Sequence, residues 1–162
     1  MTTNDTLPDT PVLVAVDFSE ESRVALVWAA GQAQLEGAPL LVLHVVHDSA
    51  ENPGFYSTSD DGTFTPMLDT AEDMMQEFLL RTKADHPELP ALAAAQTRLV
   101  EGLPAGRINE VAENTGARMV VVGNVGRSKL QSILLGSVAD EVLRTCALPV
   151  VIIKAPSGAP SE

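Results

Sequence analysis

Most of what this sequence lacks would have tied it to another polymer or locked it covalently. Cys146 is the only cysteine in 162 residues, which excludes an internal disulfide and any multi-cysteine metal site. A lone thiol of this kind is expected to be a small buried hydrophobe. Only 10 Lys and Arg stand against 22 Asp and Glu, a net charge of −12, so the clustered cationic footprint that nucleic acid or an anionic membrane requires is missing. No stretch approaches the ~18 apolar residues of a membrane span, and the opening MTTNDTLPDTP has neither the basic start nor the apolar run of a secretory signal. The expectation is a cytoplasmic protein with no nucleic-acid partner and no membrane insertion.

What is present is ordinary for one globular domain. The chain is 45% apolar and 20% charged, and a chain of this length buries about two-thirds of the surface its unfolded form exposes. Residues 1–10 read as a disordered lead, 11–154 as a single domain and 155–162 as a tail. Val12 to Val16 is a continuous aliphatic run of strand type buried on both faces. Asp17 follows it, then Ser19 as a helix cap with Glu20 and Glu21 in the first turn, and a helix to Glu36 ended by Gly37 and Pro39. Leu40–Val46 (LLVLHVV) is a second buried strand. A polar stretch, 47–65, is long for a loop. Thr65 and Pro66 have cap and first-turn chemistry for a helix to Asp85, with Met67, Leu68, Ala71, Met74, Met75, Phe78 and Leu79 at helical spacing as core. Pro87 and Pro90 break the chain before a weaker strand at 95–100. Pro104 opens a helix that stops at Gly116, and strands at 119–122 and 150–153 bracket a helix from Ser137 to about Thr145. This alternation demands an α/β domain, a mostly parallel five-stranded sheet with helices on both faces.

The stretch Met119–Ser137, MVVVGNVGRSKLQSILLGS, carries the chemistry. A buried strand breaks at Gly123, then Gly126, then Gly136 followed by Ser137, before a helix start. Spaced glycines there let a ligand approach the main chain, and N–H groups at a helix start favour an anion, so the expectation is a phosphate cradle. The bland alternative is a strand-to-helix turn with a packing glycine at 136. Ser137 reads as the helix cap, with its hydroxyl and N–H also available to phosphate. Arg127 and Lys129 supply the local positive charge. Ligands of such sheets bind outside the carboxyl ends of the strands where the strand order reverses. Asp17 and Gly123 share that crevice if their strands are neighbours.

The VAVDFSEES start, the LHVV strand, the GLPAGRI turn and above all G-x2-G-x9-G-S resemble the universal stress protein family over residues 11–154. Three glycines in fixed register arise about 0.0003 times per start position at ~7% glycine, so the motif is specific. The resemblance implies a Rossmann-like sheet of order 3-2-1-4-5. It also implies ATP, AMP or ADP in the crevice, Mg2+ held through the phosphates, and a homodimer. It carries the ribose and phosphate contacts to Gly123, Gly126, Gly136 and Ser137, the ribose side to Asp17 and an adenine contact to the backbone of Val45. Ala15, Val16, Asn124, Arg127 and Val138 complete the implied nucleotide set. Asn124 and Val125 depart from the small polar or basic residues common inside GxxG, and Arg118 stands where an acid is common, which reads as surface drift.

No Ser-His-Asp logic, no Walker GxxxxGK[ST] and no GxGxxG pattern is present, and no catalytic residue is nominated. His44 and His47 lie three apart in a strand, on opposite faces, so they read as no metal pair. His44 reads instead as a satisfied core or dimer-proximal residue. The final strand, Val150, Val151, Ile152 and Ile153, is expected at a sheet edge where a second copy can pair. The expected function is a nucleotide-dependent regulator acting on an unidentified protein partner. A slow ATPase or a nucleotide-independent interaction module is the alternative.

Overall fold

The computed structural model describes residues 10–47, 67–125 and 135–156. The lead before Thr10, residues 48–66, residues 126–134 and the end of the tail lie outside it, and with them the expectations for Thr65, Pro66, Gly126, Arg127 and Lys129. The elements are β1 (Val12–Ala15), α1 (Glu20–Glu36), β2 (Leu40–Val46), α2 (Met67–Asp85), α3 (Pro90–Ala93), β3 (Gln96–Glu101), α4 (Pro104–Thr115), β4 (Met119–Gly123), α5 (Ser137–Thr145) and β5 (Val150–Ile153). The strands form one five-stranded sheet of order β3-β2-β1-β4-β5, and every pairing is parallel.

Alternation along the strands sorts the core onto two faces. Val12, Val14, Leu40 and Val42 pack with α1, α2 and α3 on one side. Leu13, Leu41, Leu43, Val45, Val120 and Val122 pack with α4 and α5 on the other. Helix α1 presents Ala25, Ala29, Ala30 and Ala33 to the sheet, small residues that let the helix axis come close, while Leu35 faces away. Helices α1 and α4 end at Gly37 and Gly116, with φ of 62° and 64°, each donating its N–H back into the last turn. A side chain there would meet the left-handed penalty of about 1 kcal/mol, so Gly116→Ala is expected to lower stability by about that much in urea denaturation. An unchanged midpoint would contradict it.

Several expectations are corrected by packing. Met67 and Leu68 are exposed and only Met75 of the α2 methionines is buried, because the helix turns its first residues away from the sheet. Cys146 is half-buried rather than buried. The residues after Pro87 hold a short helix, α3, because Pro90 sits in a first turn, where its missing N–H costs nothing. Arg118 is no surface drift. Its guanidinium donates to Thr10 O (2.8 Å) and Thr10 Oγ1 (2.9 Å) and reaches Glu36 at 3.5 Å, tying the start of β1 to the end of α1.

The edges differ in chemistry. β3 exposes Gln96, Thr97 and Arg98, whereas β5 is aliphatic and half-buried throughout.

Candidate functional site

The order of the sheet reverses between β1 and β4. These strands are neighbours, Val12 with Met119 through Val14 with Val121, so the turns leaving their carboxyl ends share one crevice.

The β1–α1 turn is closed by short polar side chains. Ser19 is the N-cap, its Oγ accepting from Ser22 N–H at 3.1 Å. Asp17 Oδ1 accepts from Ser19 N–H at 3.0 Å and from the Ser19 hydroxyl. Asp17 N–H donates to Ser22 Oγ at 3.3 Å. The carboxylate therefore braces the turn it belongs to as well as standing at the crevice. Between Asp17 and Ser19, Phe18 has φ 69°, a left-handed conformation that costs a side-chain-bearing residue about 1–2 kcal/mol. Its ring packs 4.2 Å from that of His44 and 5.6 Å from that of Phe78, which holds it there. Ser19→Ala is expected to cost about 1 kcal/mol in chemical denaturation. A loss below roughly 0.3 kcal/mol would show the brace to be redundant.

The β4–α5 side is built on close backbone approach. A Cβ on Gly123 would stand 3.3 Å from Glu21 O and 3.4 Å from Val125 O, so the glycine lets the end of β4 press on the first turn of α1. Asn124 N–H donates to Ile153 O at 2.9 Å, and Asn124 O accepts from Gly136 N–H, which draws the two ends of the intervening loop together. The structure thus brings Gly123, Asn124 and the Gly136–Val138 helix start together against the β1–α1 turn that carries Asp17; Gly126 and Arg127 lie outside the described residues. Ser137 is not the cap. The N-cap is Gly136, and Ser137 is the first helical residue, because Gly136 holds the extended φ −67°, ψ 161° of a capping position. Gly136 has no side chain with which to cap this helix. Any L-residue can adopt that conformation, so the backbone at 136 does not explain the glycine.

The third part of the site is the end of β2. Pairing of β1 with β2 ends at Ala15 with Leu43, closed by Val16 N–H to Leu43 O at 2.8 Å. On its other side β2 stays paired with β3 through Val46 and Glu101. Backbone groups of alternate residues point to the same side of a strand, so those of Val45, two residues past Leu43, point toward β1 beyond the last rung. His44 is on the opposite sheet face, 1% exposed, with Nδ1 2.7 Å from Val16 O. It is a core histidine and lies away from the β5 edge. The turn at Phe18 and the contact of the Glu21 carbonyl escaped the sequence reading, since neither positive φ at a phenylalanine nor a carbonyl contact leaves a spacing signal.

Among the described residues no group of three or more His, Cys, Asp or Glu could hold a metal ion, and no helix is long and apolar enough to cross a membrane.

Comparison with known proteins fits this geometry. The model of the universal stress protein family matches residues 10–154. The chain is 30% identical over 145 residues to universal stress protein MJ0531 of Methanocaldococcus jannaschii, covering 90% of this chain and 82% of that one. It is 31% identical over 146 residues to universal stress protein Rv2005c of Mycobacterium tuberculosis, covering 89% of this chain but only 45% of the relative, so it spans about half of that protein. A solved universal stress protein in complex with cAMP superposes with a TM-score of 0.62 at 27% identity, over 91% of this chain and 98% of that one. With the parallel sheet, the shared crevice and the glycine-bearing β4–α5 turn in place, this chain belongs to the universal stress protein family.

Proposed function

We propose that the chain binds an adenine nucleotide, ATP foremost, across the carboxyl ends of β2, β1 and β4, and acts as a nucleotide-dependent regulator of a protein partner in the cytoplasm. The observation that carries the reading is the start of α5. The N–H groups of Ser137 and Val138 follow a glycine cap that has no side chain to accept from them and whose backbone does not require glycine. A helix N-terminus left in this state suits phosphate through its N–H groups and its dipole. Asp17 serves the ribose, the backbone of Val45 serves the base, and Mg2+ arrives through the phosphates. The cAMP complex of a relative at 27% identity supports the adenine class.

Regulation rather than catalysis is favoured because Asp17, at the end of β1, accepts from the Ser19 N–H and hydroxyl and so braces its own turn, a structural role that accounts for it without a catalytic one. Homodimerisation is proposed through β5, the aliphatic edge of the sheet. The binding reading is tested by thermal unfolding with ATP, ADP, AMP and cAMP. At a hundred times Kd a ligand adds about 2.7 kcal/mol, roughly 5–10 °C for a domain of this size. An unchanged midpoint with all four would refute it. Identical protease sensitivity and partner capture with and without ATP would remove the regulatory part.

A further inference from the structure

We propose that His44 is a positioning residue for base recognition: by drawing the Val16 carbonyl to its Nδ1, out of line with the next rung, it holds open the backbone edge at Val45. The inference rests on the adenine reading above but on a separate observation. In a regular parallel ladder the rung after Val16 N–H to Leu43 O takes the N–H two residues further along β2, that of Val45, to Val16 O. The β1–β2 pairing stops one residue short of this rung, and Val16 O instead meets Nδ1 of His44 at 2.7 Å. A carbonyl oxygen only accepts, so Nδ1 carries the proton and donates.

Two further features keep the arrangement fixed. The His44 ring packs 4.2 Å from Phe18, whose backbone is left-handed at φ 69°. Phe78 of α2 meets the outer edge of Phe18 at 5.6 Å. The imidazole is buried, 1% exposed, and on the face opposite the Val45 side chain, so it acts through Val16 without touching a base in the crevice. An adenine presents a donor and an acceptor side by side at its amino edge, and a strand residue with N–H and C=O both turned to the crevice matches that pair. Guanine presents the pair in the reverse order, acceptor O6 beside donor N1–H, and in the same pose sets acceptor against acceptor and donor against donor.

The test uses the full chain in three forms: wild type, His44→Leu, which removes the donor, and His44→Asn, whose side-chain amide donates from a position near that of Nδ1. Two quantities are read. In nucleotide-free protein, amide exchange by NMR is expected to show Val45 N–H exchanging faster than Leu43 N–H. His44→Leu is expected to slow it about tenfold as the rung closes, the worth of one hydrogen bond, and His44→Asn to leave it within about twofold of wild type. In titrations, the preference for ATP over GTP is expected to fall about tenfold in His44→Leu and to return in His44→Asn. Equal protection of Val45 and Leu43 in wild type, or a preference unchanged in His44→Leu, would overturn the assignment. If wild type binds neither nucleotide, the adenine reading fails, and the exchange rates still decide whether His44 holds the edge open. A merely structural histidine would lower stability in both variants alike and move neither quantity selectively.

Discussion

Gly136→Val is expected to weaken ATP binding by at least about a hundredfold while costing the fold only about 1 kcal/mol. The two effects separate because of where the residue sits. At φ −67°, ψ 161° the backbone suits a β-branched residue, so the substitution carries no conformational strain, only the poorer capping of valine. On the phosphate reading, its isopropyl group crowds the approach of an anion to the N–H groups of Ser137 and Val138. Charge-assisted hydrogen bonds contribute about 1.5–3 kcal/mol each, and losing two corresponds to two orders of magnitude or more in Kd. Calorimetric titration checks the affinity and urea denaturation checks the fold. A variant that binds ATP within about threefold of wild type would make Gly136 a helix-packing glycine and no part of a phosphate site.

Leu26→Ala carries the largest expected loss of stability, about 2–5 kcal/mol, or roughly 5–15 °C in the midpoint of thermal unfolding. Leu26 is fully buried in the layer between α1 and the sheet. It is flanked there by Ala25, Ala29 and Ala30, whose short side chains cannot expand into the space a leucine leaves. The same substitution at Leu35, on the same helix but 85% exposed, is expected to change stability by less than about 0.5 kcal/mol. Comparable losses at the two positions would contradict the orientation of α1 described above. The contrast also guards the site, since the first turn of α1 carries Glu21, whose carbonyl meets Gly123.

The middle of the sheet was legible because β1, β2 and β4 are buried on both faces. LLVLHVV and MVVV can be little else in a chain whose intervening segments show helical spacing, and the strand order came with the family resemblance. The glycine motif was legible for the same local reason, although the cap fell one residue early: a serine beside a glycine looks like the better cap, while the actual boundary depends on the bond from Gly136 N–H to Asn124 O. What sequence could not show are the contacts that cross long stretches of chain. His44 reaches a carbonyl 28 residues away, and Arg118 reaches Thr10 across 108. Spacing rules describe neighbours on one element, and these bonds exist only once β1, β2 and β4 lie side by side. Phe18 belongs with them, since a phenylalanine at positive φ opposes local preference and persists only because His44 and Phe78 enclose its ring.

Calorimetric titration of the 162-residue chain with ATP and Mg2+, carried to millimolar nucleotide, tests the nucleotide site most directly. The expected result is saturable binding of one nucleotide per chain, weakened by Gly136→Val. No heat of binding at millimolar ATP, or binding untouched by that substitution, would contradict it.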